Sequence, residues 1–242
     1  MATFVLVHGG LHGGWCWKRV LPLLRAGGHE AYAPTLTGLG ERAHLLSPGI
    51  TLDTHVRDIL GVLIHEEIAD AILVGHSMAG MVISAVADQA PERLAHLVYL
   101  DADVPRDGEN DLDCHTAAER AGWATWPRLG DDAIAIPPMA QPFGVTDEAD
   151  ARWVNAHLTP HPLRAFTDPV RLRHRDTFAD RRTYIACTRP DGLRPPTPMA
   201  QRVQAESGWH YRELATSHDA MVTAPRELAE LLLEVAALTG AP

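Results

Sequence analysis

Cysteine is scarce in this chain: Cys16, Cys114 and Cys187 are the only three in 242 residues. An odd and sparse set excludes a disulfide framework and points to a reducing, cytoplasmic location. Positive charge is short as well, with 21 Lys plus Arg against 31 Asp plus Glu and a net charge of −10. That balance speaks against nucleic acid or an anionic membrane surface as a partner. No apolar stretch approaches the roughly 20 residues of a membrane span. The opening MATFVLVHGG has no basic segment ahead of its apolar run, so it does not read as a signal peptide. What the chain does have is histidine, 14 of them, too many for all to serve one catalytic centre. At this length and with 46% apolar residues, a core can form without metal or disulfide staples.

Short apolar runs alternate with segments of helical period. Residues 3–8 (TFVLVH), 31–35, 71–75 (AILVG), 97–100, 183–187 (TYIAC) and 211–214 read as six strands. Residues 15–24, 52–67, 78–89 and 226–238 read as helices. Such alternation implies an α/β protein with a mostly parallel six-stranded sheet and helices on both faces. The pattern breaks between residues 104 and 179, where prolines, charges, Trp123, Trp126 and Trp153 replace buried strands. A block that long is no structureless connection. It is expected to be an inserted helical cap on a core made of residues 1–103 and 180–242.

The chemistry concentrates at Gly75-His76-Ser77-Met78-Ala79. A buried strand runs in and an apolar helix runs out, the setting in which a serine is held on a tight, strained turn with its hydroxyl exposed. Ser77 needs a base, and His218 follows the last strand in the loop ATSHD. A carboxylate must then fix the imidazole. Asp191, after the fifth strand, gives the chain order Ser–Asp–His expected of this arrangement, and Asp101, at the end of the fourth, is the alternative acid. Backbone N–H groups of Met78 and of Gly10, in the His8-Gly9-Gly10 turn after the first strand, would hold a developing oxyanion. Leu11, His12, Trp15 and the cap residues Trp123, Trp126 and Trp153 are expected to wall an apolar pocket. His76 would support the turn, Asp219 would cap its loop, His29, His44, His55, His65, His96 and His174 read as solvated, and His157 and His161 could face either way. No dinucleotide fingerprint, P-loop lysine or H-E-x-x-H pattern is present, so neither a cofactor nor a metal is expected.

FVLVHGGLHGGWCWKRVLPLL, LVGHSMAGM, YIACTRPDG and ATSHDAMVTAPRELAELLLEVA together resemble the α/β-hydrolase fold. More narrowly, they are similar to plant methyl esterases of the methyl-salicylate type, to hydroxynitrile lyases and to their bacterial relatives. The resemblance implies a Ser77–Asp191–His218 triad with Gly10 and Met78 as oxyanion donors. Lyases of this group carry Thr, Glu and Lys where this chain has Gly9, His76 and Asp219, so the resemblance sides with ester hydrolysis. Its acid loop is one residue longer than the group's, which keeps Asp101 in play. The expected activity is cofactor-free cleavage of a small, apolar or aromatic ester or lactone through an acyl-enzyme. A lyase or natural-product tailoring reaction on the same fold, or a non-catalytic ligand-binding protein, are the alternatives, and a homodimer is left open.

Overall fold

The computed structural model describes residues 1–131, 133–134, 143–188 and 197–240. Six strands form the central sheet: β1 (Thr3–Val7), β2 (Glu30–Tyr32), β3 (Ala71–His76), β4 (Leu94–Leu100) and, after the insertion, β8 (Arg182–Cys187) and β9 (His210–Leu214). Their order is β2-β1-β3-β4-β8-β9 and every pairing is parallel. β3 is buried along its whole length and β1 along all but its first residue, which is why these segments are unbroken apolar runs rather than alternating ones.

The helices are α1 (Leu21–Ala26), α2 (Leu52–His65), α3 (Ala79–Gln89), α7 (Pro198–Ala205), α8 (Ala220–Thr223) and α9 (Pro225–Leu238) in the core. A capping box starts α2: Thr51 accepts from the Thr54 amide while the Thr54 hydroxyl accepts from the Thr51 amide. Packing of α1 on α9 and of α2 on α3 covers the sheet. The segment expected to be a helix over 15–24 is a 3-10 turn, Gly14–Arg19, followed by α1, with Pro22 in that helix's first turn.

The insertion carries α4 (Ala117–Ala124), α5 (Glu148–His157) and α6 (Arg164–Thr167). It is not wholly helical, contrary to the expectation. β5 (Arg128–Leu129), β6 (Ala133–Ile134) and β7 (His161–Pro162) form a small antiparallel sheet, too short to leave a periodic signal.

The chain runs from β1 outward to β2, then reverses to β3. Ligands in open parallel sheets lie beyond the strand ends at such a reversal. Register brings the relevant ends level: Val7 pairs with Gly75, His76 with Leu100, and Leu100 with Ile185. The residues that follow these pairs therefore emerge along one edge.

Candidate active site

Ser77 leaves β3 at that edge with φ of +56°, a left-handed backbone that serine rarely adopts. The turn is over-determined by its surroundings. Ser77 N–H donates to the Leu100 carbonyl at 3.2 Å, and the Ser77 carbonyl accepts from the Gly80 and Asp103 amides at 3.0 and 3.1 Å. Small neighbours make the turn possible. A Cβ on Gly75 would sit 2.9 Å from the Ala79 carbonyl oxygen, and one on Gly9 would sit 2.9 Å from the Ser77 Cβ. Gly80 lies against the Asp103 backbone with no room for a side chain. Met78 is the N-cap of α3, so its N–H has no intrahelical acceptor.

His218 is buried and its Nδ1 lies 2.6 Å from Asp101 Oδ2. A carboxylate accepts, so Nδ1 carries the proton and Nε2 is the basic nitrogen. The His218 backbone is fixed in turn, because His76 Nε2–H donates to its carbonyl at 3.0 Å. Asp101 also has a positive φ, +43°, and its N–H donates to the Ile185 carbonyl at 2.8 Å. The carboxylate seen against the imidazole is thus Asp101, the alternative acid. Asp191 lies outside the described residues.

The other half of the site is the turn after β1. His8 Nδ1–H donates to the Gly9 carbonyl at 2.9 Å and its Nε2 accepts from the Leu36 amide at 3.1 Å. Burial above all pushes His8 down to about 3, so it is a neutral, two-sided brace. His12 differs. Its Nδ1 faces the Gly10 carbonyl at 2.8 Å and its Nε2 faces Asp219 Oδ2 at 3.2 Å. Both partners only accept, so both nitrogens donate and the ring is an imidazolium. Burial pulls the His12 pKa down, but the Asp219 carboxylate outweighs it and the net shift is upward. Burial likewise opposes ionisation of Asp219, yet His12 holds its pKa below the ordinary carboxylate value. Leu11 takes φ of +67° and is tied to the cap at both ends of its peptide units. Its N–H donates to His161 Nδ1 at 3.0 Å, and its carbonyl accepts from the Thr159 amide at 3.0 Å. Among the described residues, nothing accepts a hydrogen bond from Gly10 N–H.

A cavity of about 310 Å3 opens over these groups, lined by Gly10, Leu11, His12, Ser77, Met78, Asp101 and His218 at its base. Trp123, Trp126, Leu163, Phe166, Tyr184 and Met199 form the apolar walls. Trp15 and Trp153, expected in the pocket, do not line it. Their rings pack edge to face at 5.1 Å, and Trp15 stacks on His12 at 5.2 Å, so they buttress the His12 ring from behind. Two histidines read as solvated are buried: His55 donates to the Thr37 carbonyl, and His96 bonds the Thr183 hydroxyl. Sequence position alone hid them, since both fall at half-polar helix or strand positions that turn inward. His161 is fully buried, while His157 stays at the surface with Nδ1–H bonded to the Trp153 carbonyl.

Known proteins resemble this chain along nearly its whole length. The Alpha/beta hydrolase family model matches residues 4–231. The carbendazim hydrolyzing esterase of Nocardioides sp. (strain SG-4G) is 40% identical over 96% of this chain and 98% of its own. Methylesterase 9 of Arabidopsis thaliana is 34% identical over 98% of both chains. Among solved structures, the methylesterase MES16 from Arabidopsis superposes with a TM-score of 0.81 at 24% identity, covering 98% of this chain and all of that one. Among the described residues no helix is long and apolar enough to cross a membrane. With a strained serine at the switch point, an acid-paired histidine after the last strand and this match along nearly its whole length, the chain belongs to the alpha/beta hydrolase family.

Proposed function

We propose that Ser77, His218 and Asp101 are the triad of this carboxylic ester hydrolase, with Gly10 and Met78 N–H as its oxyanion donors. The observation that carries the assignment is the 2.6 Å contact between His218 Nδ1 and Asp101. His218 Nε2 takes the Ser77 proton as the hydroxyl attacks the ester carbonyl. The tetrahedral oxyanion lies between the two N–H groups, each such donor contributing about 10²–10³ in rate. His218 then protonates the leaving alkoxide, an acyl-enzyme remains on Ser77, and a water activated by the same imidazole releases the acid. Asp101 stays ionised throughout and stabilises the imidazolium.

Substrate size follows from the cavity of about 310 Å3, and its character from walls built of Trp123, Trp126, Phe166 and Tyr184. Small apolar or aromatic esters suit it. The 40% identical relative is a carbendazim hydrolyzing esterase, which puts carbendazim on the substrate panel beside methyl esters of aromatic acids. A lyase reading is disfavoured by Asp219, which stands directly after His218 and is locked to His12. Its carboxylate is buried outside the cavity lining, so this position offers no cation to a departing cyanide.

The test is Ser77→Ala assayed on short p-nitrophenyl esters, with fluorophosphonate labelling alongside. Wild type should turn over and label, and the variant should do neither. Turnover surviving the substitution would sink the assignment, and mandelonitrile cleavage exceeding ester hydrolysis would favour the lyase.

A further inference from the structure

One cluster in the cavity wall is not used by ester hydrolysis. Asp103, two residues beyond Asp101, meets Asp111 and His115, which begin and follow the short 3-10 turn Asp111–Cys114 at the base of the cap. One ligand atom from each of the three lies within 4.8 Å of the others. His115 Nε2 is 3.1 Å from Asp103 Oδ1 and 3.9 Å from Asp111 Oδ2. Asp111 is 1% exposed, and among the described residues its carboxyl oxygens meet no donor other than a proton shared with the Asp103 carboxyl. Two buried carboxyls this close are costly unless a proton or a cation lies between them.

We infer that Asp103, Asp111 and His115 bind a divalent transition-metal ion of the Zn2+ class. The spacing fits: ligands at about 2.0–2.1 Å from a tetrahedral ion lie about 3.3 Å from one another, and the two observed separations bracket that value. So does the donor set, since two carboxylates and one neutral imidazole carry the charge that a dication neutralises. Behind the ring, Glu119 Oε2 lies 3.8 Å from His115 Nδ1. Glu119 is itself held in place by the Thr116 amide, which donates to it at 2.8 Å. Glu119 thus adds negative charge on the far side of the ring. All three residues lie in the cavity wall. An ion there would tie the loop after β4 to the first turn of the cap. Asp111 and His115 stand four residues apart, a spacing that passes unnoticed because Asp103 comes from another element.

Protein purified without a metal-affinity tag, stripped with EDTA and desalted, is titrated with Zn2+ by calorimetry. Wild type should take up one equivalent. Asp111→Asn and His115→Gln, checked for folding by circular dichroism, should each bind at least tenfold more weakly. No stoichiometric uptake by wild type means that the two carboxyls merely share a proton, and the inference fails. It fails equally if both variants bind like wild type, because the ion then sits on other histidines. Should neither variant fold, Co2+ added to wild type decides: intense visible bands of a four- or five-coordinate ion support the site, and the faint spectrum of the hydrated ion refutes it.

Discussion

Replacing Asp101 by Asn tests the reasoning at its most exposed point, because the contact it alters is short, buried and charged. The Asp101 side chain is 2% exposed and its oxygen lies 2.6 Å from His218 Nδ1. Asn keeps the size but removes the negative charge that faces the imidazolium formed during acyl transfer. For charge centres about 4 Å apart at an effective dielectric of about 20, that attraction is about 4 kcal/mol. At 1.36 kcal/mol per decade, kcat should fall by about 10³-fold. The wrong tautomer, with Nε2 protonated opposite Ser77, would take the loss toward about 10⁴. KM should change little, since the interaction matters in the transition state rather than in substrate binding. The measurement is steady-state hydrolysis of p-nitrophenyl acetate by Asp101→Asn and Asp191→Asn side by side, with thermal melts to confirm folding. Asp191→Asn should remain within a few-fold of wild type. An Asp101→Asn enzyme retaining more than about a tenth of its kcat, beside a crippled Asp191→Asn, would return the acid to the loop after β8 and refute the assignment; a loss of about 10³ is what the charge argument demands.

Asp219→Asn should destabilise the fold by about 3 kcal/mol, because it leaves a buried His12 without its counter-ion. The His12 pKa is raised above its ordinary 6.5, so its share of the pair's stabilisation is complete below that pH and lost as pH rises through the folded value. The Asp219 pKa is lowered below 3.8, so its share is present above 3.8 and lost as pH falls through the folded value. Urea unfolding should therefore show a wider gap between wild type and variant at pH 5.5 than at pH 9, and an equal gap would mean His12 is neutral. A second pH effect runs the other way. Burial first of all holds His8 down to about 3, His55 and His96 to about 4, and His76 and His161 well below 6.5. Unfolding exposes these five to water, where they take up protons, so stability is complete above pH 6.5 and falls as pH drops toward the folded values. Each proton tilts the balance by about 1.4 kcal/mol per pH unit. The dependence of unfolding free energy on pH near 5 should correspond to about five protons; a slope of only one or two would show that the rings are not sealed.

The sheet was legible because its strands are buried on both faces and announce themselves as apolar runs. The meeting of Ser77 and His218 in one cavity was legible because each follows a strand of the same parallel sheet. The acid was not. Both Asp101 and Asp191 follow strands, and only the register of β4 against β3 and β8 shows Asp101 reaching His218. The histidines divided along the same line. Those beside glycine turns, His8, His12 and His76, were placed near the site, while His55, His96 and His161 owe their burial to packing between elements distant in sequence. The cap was the least readable part, since two-residue strands carry no period and the walls combine side chains from α4, α6, β8 and α7. Trp15 and Trp153 were misplaced for a related reason: a tryptophan's size marks it for burial without saying on which side of His12 it will lie.

The attachment of Leu11 to the far end of the insertion has a consequence for how this scaffold can diversify. Leu11 N–H reaches His161, the Thr159 amide reaches the Leu11 carbonyl, and the Thr159 hydroxyl accepts from the Gly40 amide. Residues 159–161 therefore belong functionally to the turn that shapes the reaction centre, although the chain delivers them with the lid. A chimera that borrows a lid from another relative can exchange the segment carrying Trp123 and Trp126, and with it the selectivity of the pocket. It must keep the 159–161 stretch of the recipient, because without that stretch the borrowed lid would bring a new preference and leave Leu11 free to abandon its left-handed conformation beside Gly10, the proposed oxyanion donor.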